Sequence, residues 1–122
     1  MPNLRTIELK AFVPARDFDL SKRFYQDMGF TLASDGGGIA YFHHESVSFL
    51  LQDFYVEELA KNLMLHRLVE DVESWRAQLM NADLAGRYGV KISAIERQPW
   101  RMRDFVVVDT SGVLWRIAQN SD

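Results

Sequence analysis

The feature that most constrains the fold is an order of predicted elements that occurs twice along the chain. In the first half, alternating apolar residues predict a strand over residues 5–13, and an apolar stripe at helical spacing follows over residues 17–28. Three short strand patterns complete this half. The same order begins again around Asp71, which stands 54 residues after Asp17. A repeated order predicts two β-α-β-β-β modules, because one repeat normally folds as one supersecondary unit.

The caps and turns of the two halves agree with this alignment. Asp17 and Asp71 each precede a helical stripe, where a short acidic side chain accepts hydrogen bonds from free backbone N–H groups. Gly29 follows the first helix, at the position where a left-handed residue ends a helix. The other predicted strands span residues 30–33, 39–43, 47–52, 63–69, 90–95, 102–108 and 113–118.

The length of 122 residues suits one domain with a single core. The sequence therefore predicts an α+β domain over residues 1–122. Module one covers about residues 5–52, a connector about 53–62 and module two about 63–119. Each half-sheet is small and leaves an aromatic face that needs cover, so we also expect a homodimer.

Composition and charge exclude several classes of function. The net charge of −3 argues against a nucleic-acid binder, which needs a basic surface. The chain has no cysteine, so disulfides, thiolate nucleophiles, cysteine zinc sites and iron–sulfur clusters are excluded. No apolar run reaches the roughly 18 residues of a membrane span, and the first residues lack the apolar core of a signal peptide. We therefore expect a soluble cytoplasmic protein that does not contact membranes.

Two stretches of the sequence resemble a known superfamily. One runs from Val13 to Asp17 and continues as RFYQDMGF to Phe30; the other is the Pro99-Trp100 loop with the run DTSGVLWR that ends at Arg116. Together they resemble the vicinal oxygen chelate superfamily, which includes glyoxalase I, extradiol dioxygenases, and fosfomycin- and bleomycin-resistance proteins. The second stretch looks most like the bleomycin-resistance branch. This resemblance implies paired modules in a curved mixed sheet around a concave pocket, which a homodimer completes.

The resemblance also implies where metal ligands would stand in this chain. The positions that hold ligands in metal-using members fall on Lys10, Met64 and Arg116, with a fourth near Phe49. Lysine and arginine have no lone pair to give and repel a cation, while the methionine thioether is a soft ligand. We therefore predict no bound metal and no other cofactor, which removes the Lewis acid of the enzyme members.

Two further residues are candidates for a binding site. His66 lies two residues after Met64 and thus on the same strand face, either as a pocket residue or as a hydrogen-bonded histidine in a wet cavity. Trp100 stands among arginines on a loop, where it either stacks on a planar ring or covers the sheet edge. Lys10 either pairs with Glu8 or forms, with Arg116, a cationic wall for a carboxylate, sulfate or phosphate.

The leading hypothesis is non-catalytic binding and sequestration of a small planar or aromatic molecule, of the antibiotic-resistance type. The candidate ligand-binding residues are Trp100, Phe49, His66, Arg116, Lys10 and Met64. Bleomycin itself is strongly cationic, so the two inward cations argue against that ligand. Three alternatives stay open: a metal-dependent lyase or dioxygenase that uses His66, Glu8 or His43 as ligands, a metal-free enzyme with His66 as base, and a partner protein with a plugged pocket.

Overall fold

The computed structural model describes residues 1–121 and contains two four-stranded mixed sheets, one from each half of the chain. The elements in chain order are β1 (Phe12–Pro14), α1 (Phe18–Asp27), β2 (Thr31–Gly36), β3 (Ile39–His44), β4 (Val47–Gln52), α2 (Glu57–Asn62), β5 (Met64–Leu68), α3 (Val72–Asn81), α4 (Leu84–Tyr88), β6 (Glu96–Gln98), β7 (Met102–Val108) and β8 (Leu114–Asn120). The first sheet has the order β1-β4-β3-β2 and the second β5-β8-β7-β6. Within residues 1–121, no helix has the length and apolar character of a membrane span.

The repeat predicted from the sequence is confirmed. Helices α1 and α3 both have ten residues, and α3 begins and ends 54 residues after α1. Asp17 and Asp71 cap them in the same way, each accepting a backbone N–H bond of 3.1 Å from the residue three positions on. In both sheets the first strand pairs in parallel with the last strand of its module, and the remaining pairs are antiparallel.

The N-terminal strand is much shorter than predicted. Only Phe12–Pro14 is paired, and residues 1–11 form an extended arm without regular structure, which we call the N-terminal arm. The edge of β4 extends back to Val47, but the arm does not pair with it, and Glu8 of the arm accepts hydrogen bonds from the hydroxyls of Ser48 and Tyr41 instead. In the second half β5 pairs with β8 over five residues.

The prediction of a strand over residues 90–95 is wrong. Its place is taken by an irregular segment with one isolated bridge, and the strand β6 begins later, at Glu96. Ser93 accounts for the irregularity, because its side-chain oxygen accepts the N–H of Val106 at 2.8 Å and replaces a backbone carbonyl in the ladder. The short helix α4 before this segment was not predicted.

The core lies between the two sheets and includes one cluster of aromatic rings. Tyr25 of α1 contacts Phe49 of β4 and Trp115 of β8, with ring centroids 4.8 and 5.7 Å away. The Tyr25 hydroxyl donates to the buried carboxylate of Asp109 and accepts the Trp115 indole N–H at 2.9 Å. These contacts join the two halves of the chain into one hydrophobic core.

Each sheet keeps one face away from this core. Along β4, Phe49 and Leu51 are buried, whereas the alternate residues Ser48 and Leu50 are only half-buried. Strand β8 alternates in the same way, with Trp115 buried and Arg116 half-buried. The two half-covered faces, which we call the open faces, are the surfaces next to which the candidate site lies.

Candidate functional site

A cavity of about 600 Å³ lies where the N-terminal arm and β4 meet β5 and β8, and we call it the inter-module cavity. Its polar lining consists of Lys10, Ser48, His66 and Arg67, and no carboxylate among residues 1–121 lines it. The remaining lining is apolar or aromatic and consists of Leu9, Ala11, Val47, Phe49, Leu65, Leu68 and Trp115. A mostly apolar cavity with a few convergent polar groups is the usual form of a small-molecule site.

Three of the six predicted site residues line this cavity. Lys10 enters from the arm, Phe49 from β4 and His66 from β5. Phe49 is only 2% exposed, and its ring packs against the core rings of Phe42 and Trp115 at 5.3 Å. It therefore forms a rigid wall of the cavity and is not a side chain that projects into it.

Met64 and Arg116, two other predicted residues, lie beside the cavity on the open face of the second sheet. His66 stands opposite Arg116 in the parallel ladder, and Met64 lies two residues before it on the same face. Arg116 does not offer a free charge, because its Nη1 is 2.9 Å from Oδ2 of Asp104, whose side chain is 2% exposed. Met64 is largely exposed to solvent.

Trp100 does not line the inter-module cavity of the chain to which it belongs. It lies on the turn between β6 and β7 with 54% of its surface exposed, and it is not among the lining residues. Arg101 beside it has a φ of 62°, so this turn is tight.

The ladders place the module-one counterpart of Arg116 one residue away from the predicted position. Phe12 pairs with Leu50 in the first sheet as His66 pairs with Arg116 in the second. Leu50 is thus the counterpart of Arg116, and Phe49 is the counterpart of Trp115. A shift of one residue moves a strand side chain to the opposite face, which explains why Phe49 is in the core.

Lys10 is held in an ion pair on the arm. Its Nζ lies 2.9 Å from Oε1 of Glu8, and the other oxygen of Glu8 accepts hydrogen bonds from the hydroxyls of Ser48 and Tyr41. The Ser48 hydrogen bond, followed by those of Lys10 and Tyr41, lowers the pKa of Glu8 to about 2. The arm is therefore fixed to the open face of the first sheet by a charged side chain, and Lys10 has a counter-ion.

Arg67 is a residue of this cavity that sequence reasoning missed. It is 4% exposed, and its guanidinium carbon lies 4.2 Å from the ring centroid of Trp75 and 4.5 Å from that of Phe30. Nη1 is buried and has no hydrogen-bond partner in the described part of the chain, and burial lowers the pKa of Arg67 to about 10, against the opposing attraction of Glu45. One feature of the sequence could have identified it: alternation along the strand places Arg67 on the face opposite to His66, which is the face that packs into the core.

The residues of this site do not fit a divalent metal. Lys10 and Arg116 are cations that already pair with carboxylates, and Met64 offers only a thioether. His66 is the one imidazole that lines the cavity, and residues 1–121 bring no three histidine, aspartate or glutamate side chains together in a ligating arrangement. We therefore derive no reaction step through a metal ion.

Comparison with known proteins gives a family and a set of similar folds. The profile described as "Glyoxalase/Bleomycin resistance protein/Dioxygenase superfamily" matches residues 9–117. A comparison with curated protein sequences finds no significant match.

Three solved structures illustrate the similarity of fold. The bleomycin resistance determinant encoded on the transposon Tn5 is 23% identical, with a TM-score of 0.80 over 94% of this chain and 98% of that one. A bleomycin-binding protein complexed with bleomycin is also 23% identical, with a TM-score of 0.80 over 95% and 100%. TnmS3, an antibiotic binding protein from Streptomyces sp. CB03234, is 23% identical, with a TM-score of 0.77 over 98% and 100%. At these identities, the likeness concerns the fold.

Proposed function

We propose that this chain, which belongs to the glyoxalase/bleomycin resistance protein/dioxygenase superfamily, binds and sequesters a small planar or aromatic molecule without converting it. The inter-module cavity is the observation that supports this proposal. Its volume of about 600 Å³ and its apolar and aromatic walls suit a ligand of drug size. The similar folds include proteins described as bleomycin-binding and antibiotic binding, which favours an antibiotic-like ligand.

The proposed binding residues differ in how they relate to the cavity. Lys10, Phe49 and His66 line it, and Met64 and Arg116 extend the binding surface along the open face of the second sheet. Trp100 lies outside the cavity of its own chain, so its place in the proposal depends on a second copy of the chain.

The proposal includes a homodimer. Leu4, Ile7 and Leu9 of the N-terminal arm are 86–92% exposed. An apolar groove of about 370 Å³ lies near the base of the arm, where Phe12, Phe54, Val56 and Leu59 are exposed to solvent. Exposed apolar surface on this scale is typical of an interaction surface, and a second copy would cover it.

Light scattering at micromolar concentration tests the homodimer. We expect a species of about 28 kDa, twice the 14.1 kDa of one chain. The double variant Ile7→Asp with Leu9→Asp should give the monomer, because it places two charges where apolar contacts are needed. A wild-type protein that elutes as a clean monomer would contradict this part of the proposal.

A tryptophan-fluorescence titration with a panel of planar aromatic compounds tests the binding function. Trp115 lines the cavity, so saturable quenching at micromolar concentration is expected from at least one member of the panel. Ala11→Phe places a ring inside the cavity and should weaken that binding at least tenfold, or about 1.4 kcal/mol. The matched control Met80→Phe adds the same ring on the exposed surface of α3 and should change nothing.

Other outcomes of the same titration favour the other functions. No quenching by any compound, or equal affinity for wild type and Ala11→Phe, contradicts binding in this cavity. Turnover of a bound compound without added metal contradicts sequestration and favours an enzyme with His66 as base. Turnover that requires added nickel, zinc, iron or manganese favours a metal-dependent member with unusual ligands.

A further inference from the structure

We propose that Arg67 makes this cavity selective for ligands that carry a negatively charged group, such as a carboxylate, sulfonate or phosphate. The inference rests on the proposed binding function and specifies the chemical class of the ligand. It assigns recognition of the charge to a residue of the core-facing side of β5, and not to Lys10 or Arg116.

The first argument is that the other two cations near the cavity already have counter-ions. Lys10 is paired with Glu8 at 2.9 Å, and Arg116 with the buried Asp104 at 2.9 Å. Arg67 forms no ion pair with any residue of 1–121, and its Nη1 is buried without a hydrogen-bond partner. Among these three cations, Arg67 is the one without an ion-pair partner in residues 1–121, and only the electrostatic attraction of Glu45 opposes its burial.

The second argument is the unfavourable free energy of burying the Arg67 guanidinium without an ion-pair partner. A buried charge without a partner is unfavourable unless something supplies the opposite charge. The pKa of Arg67 is lowered by burial to about 10, so the guanidinium remains charged at neutral pH. An anionic group in the inter-module cavity would compensate this charge, since no carboxylate of residues 1–121 lines that cavity and the nearby Glu8 is already paired with Lys10.

The acidic groups on the other side of Arg67 do not form an ion pair that neutralises its charge. A neighbouring cavity of about 360 Å³ also includes Arg67 in its lining, together with Glu45, Glu70 and Asp71. Asp71 is engaged as the cap of α3, and Glu45 contacts His44 at 3.1 Å with a side chain that is 83% exposed. This acidic side repels an anion, so the anionic group is expected on the side of His66, whereas Ser48 already donates its hydroxyl to Glu8.

The third argument is that the guanidinium is held in position before any ligand arrives. Phe30 and Trp75 both lie within 4.5 Å of its central carbon. Aromatic contacts of this kind fix the plane of the group, and a planar fork of N–H donors matches two oxygens of one anionic group. Little side-chain entropy is then lost on binding, which favours affinity.

A pair of fluorescent probes tests the inference on the wild-type protein. 8-Anilino-1-naphthalenesulfonate and N-phenyl-1-naphthylamine share the same aromatic skeleton, and only the first carries a sulfonate. We expect the sulfonate probe to bind at least tenfold more tightly. Equal affinities would overturn this inference and leave the proposed function standing, whereas binding of neither probe contradicts the proposed function and the inference with it.

Substitutions then test whether Arg67 is responsible. Arg67→Met should remove the preference, with weaker binding of the sulfonate probe and unchanged binding of the neutral one. Arg87→Met removes an exposed arginine that does not line the cavity and should retain the preference. If Arg67→Met does not fold, as judged by its melting transition, Arg67→Lys replaces it and should keep a reduced preference. A preference that neither Arg67 variant reduces would overturn the assignment.

Discussion

The first strands of the two modules begin from the same kind of sequence and end as different structures. Strand β1 has three paired residues and continues backwards as an exposed arm, whereas β5 has five residues paired along β8. The position of Lys10 in the arm corresponds to that of Met64 in β5. The edge of β4 continues back to Val47 beside the arm, yet the arm does not pair with it, and Glu8 accepts hydrogen bonds from Ser48 and Tyr41 instead. The difference teaches that neither apolar alternation nor a free edge is sufficient for a strand when side-chain contacts hold the chain elsewhere.

The two modules also neutralise their charges in different environments. In module one, Lys10 pairs with Glu8 on the arm, where both side chains are about a quarter exposed. In module two, Arg116 pairs with Asp104 inside the sheet, and Gln98 donates a further hydrogen bond to Asp104 at 2.9 Å. The pair in module two is therefore expected to matter for folding and the pair in module one for the position of the arm.

The largest expected effect tests whether the two faces of β4 differ, with Phe49 on the core face and Leu50 on the open face. Phe49→Ala should lower the free energy of unfolding by about 4 kcal/mol, because a buried phenyl ring leaves a cavity behind. Leu50→Ala should cost clearly less, because Leu50 is only half-buried on the open face. Urea unfolding of both variants measures the difference. Equal losses would show that the two faces of β4 are not distinct.

The next effect compares the two ion pairs. Asp104→Ala should cost about 3 kcal/mol, since it leaves Arg116 and Gln98 without their acceptor inside the sheet. Glu8→Gln should lower the unfolding midpoint only slightly, because exposed ion pairs contribute little. The measurement is again urea unfolding. A loss for Glu8→Gln as large as that for Asp104→Ala would remove the distinction between the modules.

The smallest effect is a difference in the sign of the pH dependence. Burial raises the pKa of Asp109 above its ordinary 3.8, so its contribution to stability is greatest below that value and is lost as pH rises through the raised pKa. The pKa of Glu8 is about 2, so its contribution is present above pH 4.5 and is lost as pH falls towards 2.

Melting temperatures at a series of pH values detect this difference. The advantage of wild type over Asp109→Asn should grow as pH falls towards 3.8, while its advantage over Glu8→Gln should shrink as pH falls from 4.5 towards 2. The same trend for both variants would contradict the opposite assignments of the two carboxyls.

The sequence predicts the repeat well because its signals are local. The caps Asp17 and Asp71 act within one turn of their own helices, and the bounds of β4 and β7 agree with the alternation of their residues. The failures at the arm and at residues 90–95 depend on contacts with distant partners. Ser93, for example, replaces a ladder carbonyl with its hydroxyl, and no local pattern indicates such a substitution.

The candidate site was predictable only in part for a similar reason. Counting along the strands placed Lys10 and His66 at the cavity and offered Glu8 as one of two roles for Lys10, and the structure confirms that ion pair. Arg67 was missed because its environment comes from Phe30 and Trp75, which belong to other elements. A charged side chain in a strand is ambiguous until the packing on both faces is known.

The hydroxyl of Tyr25 joins α1 to Asp109 and Trp115 of the second module, and this has a consequence for how the chain unfolds. Neither module can open without exposing the aromatic rings and breaking the polar bonds that belong to both. The unit that repeats in the sequence is therefore smaller than the unit that folds. Denaturation should be a single cooperative transition, and the slowest-exchanging amides should come from both halves of the chain.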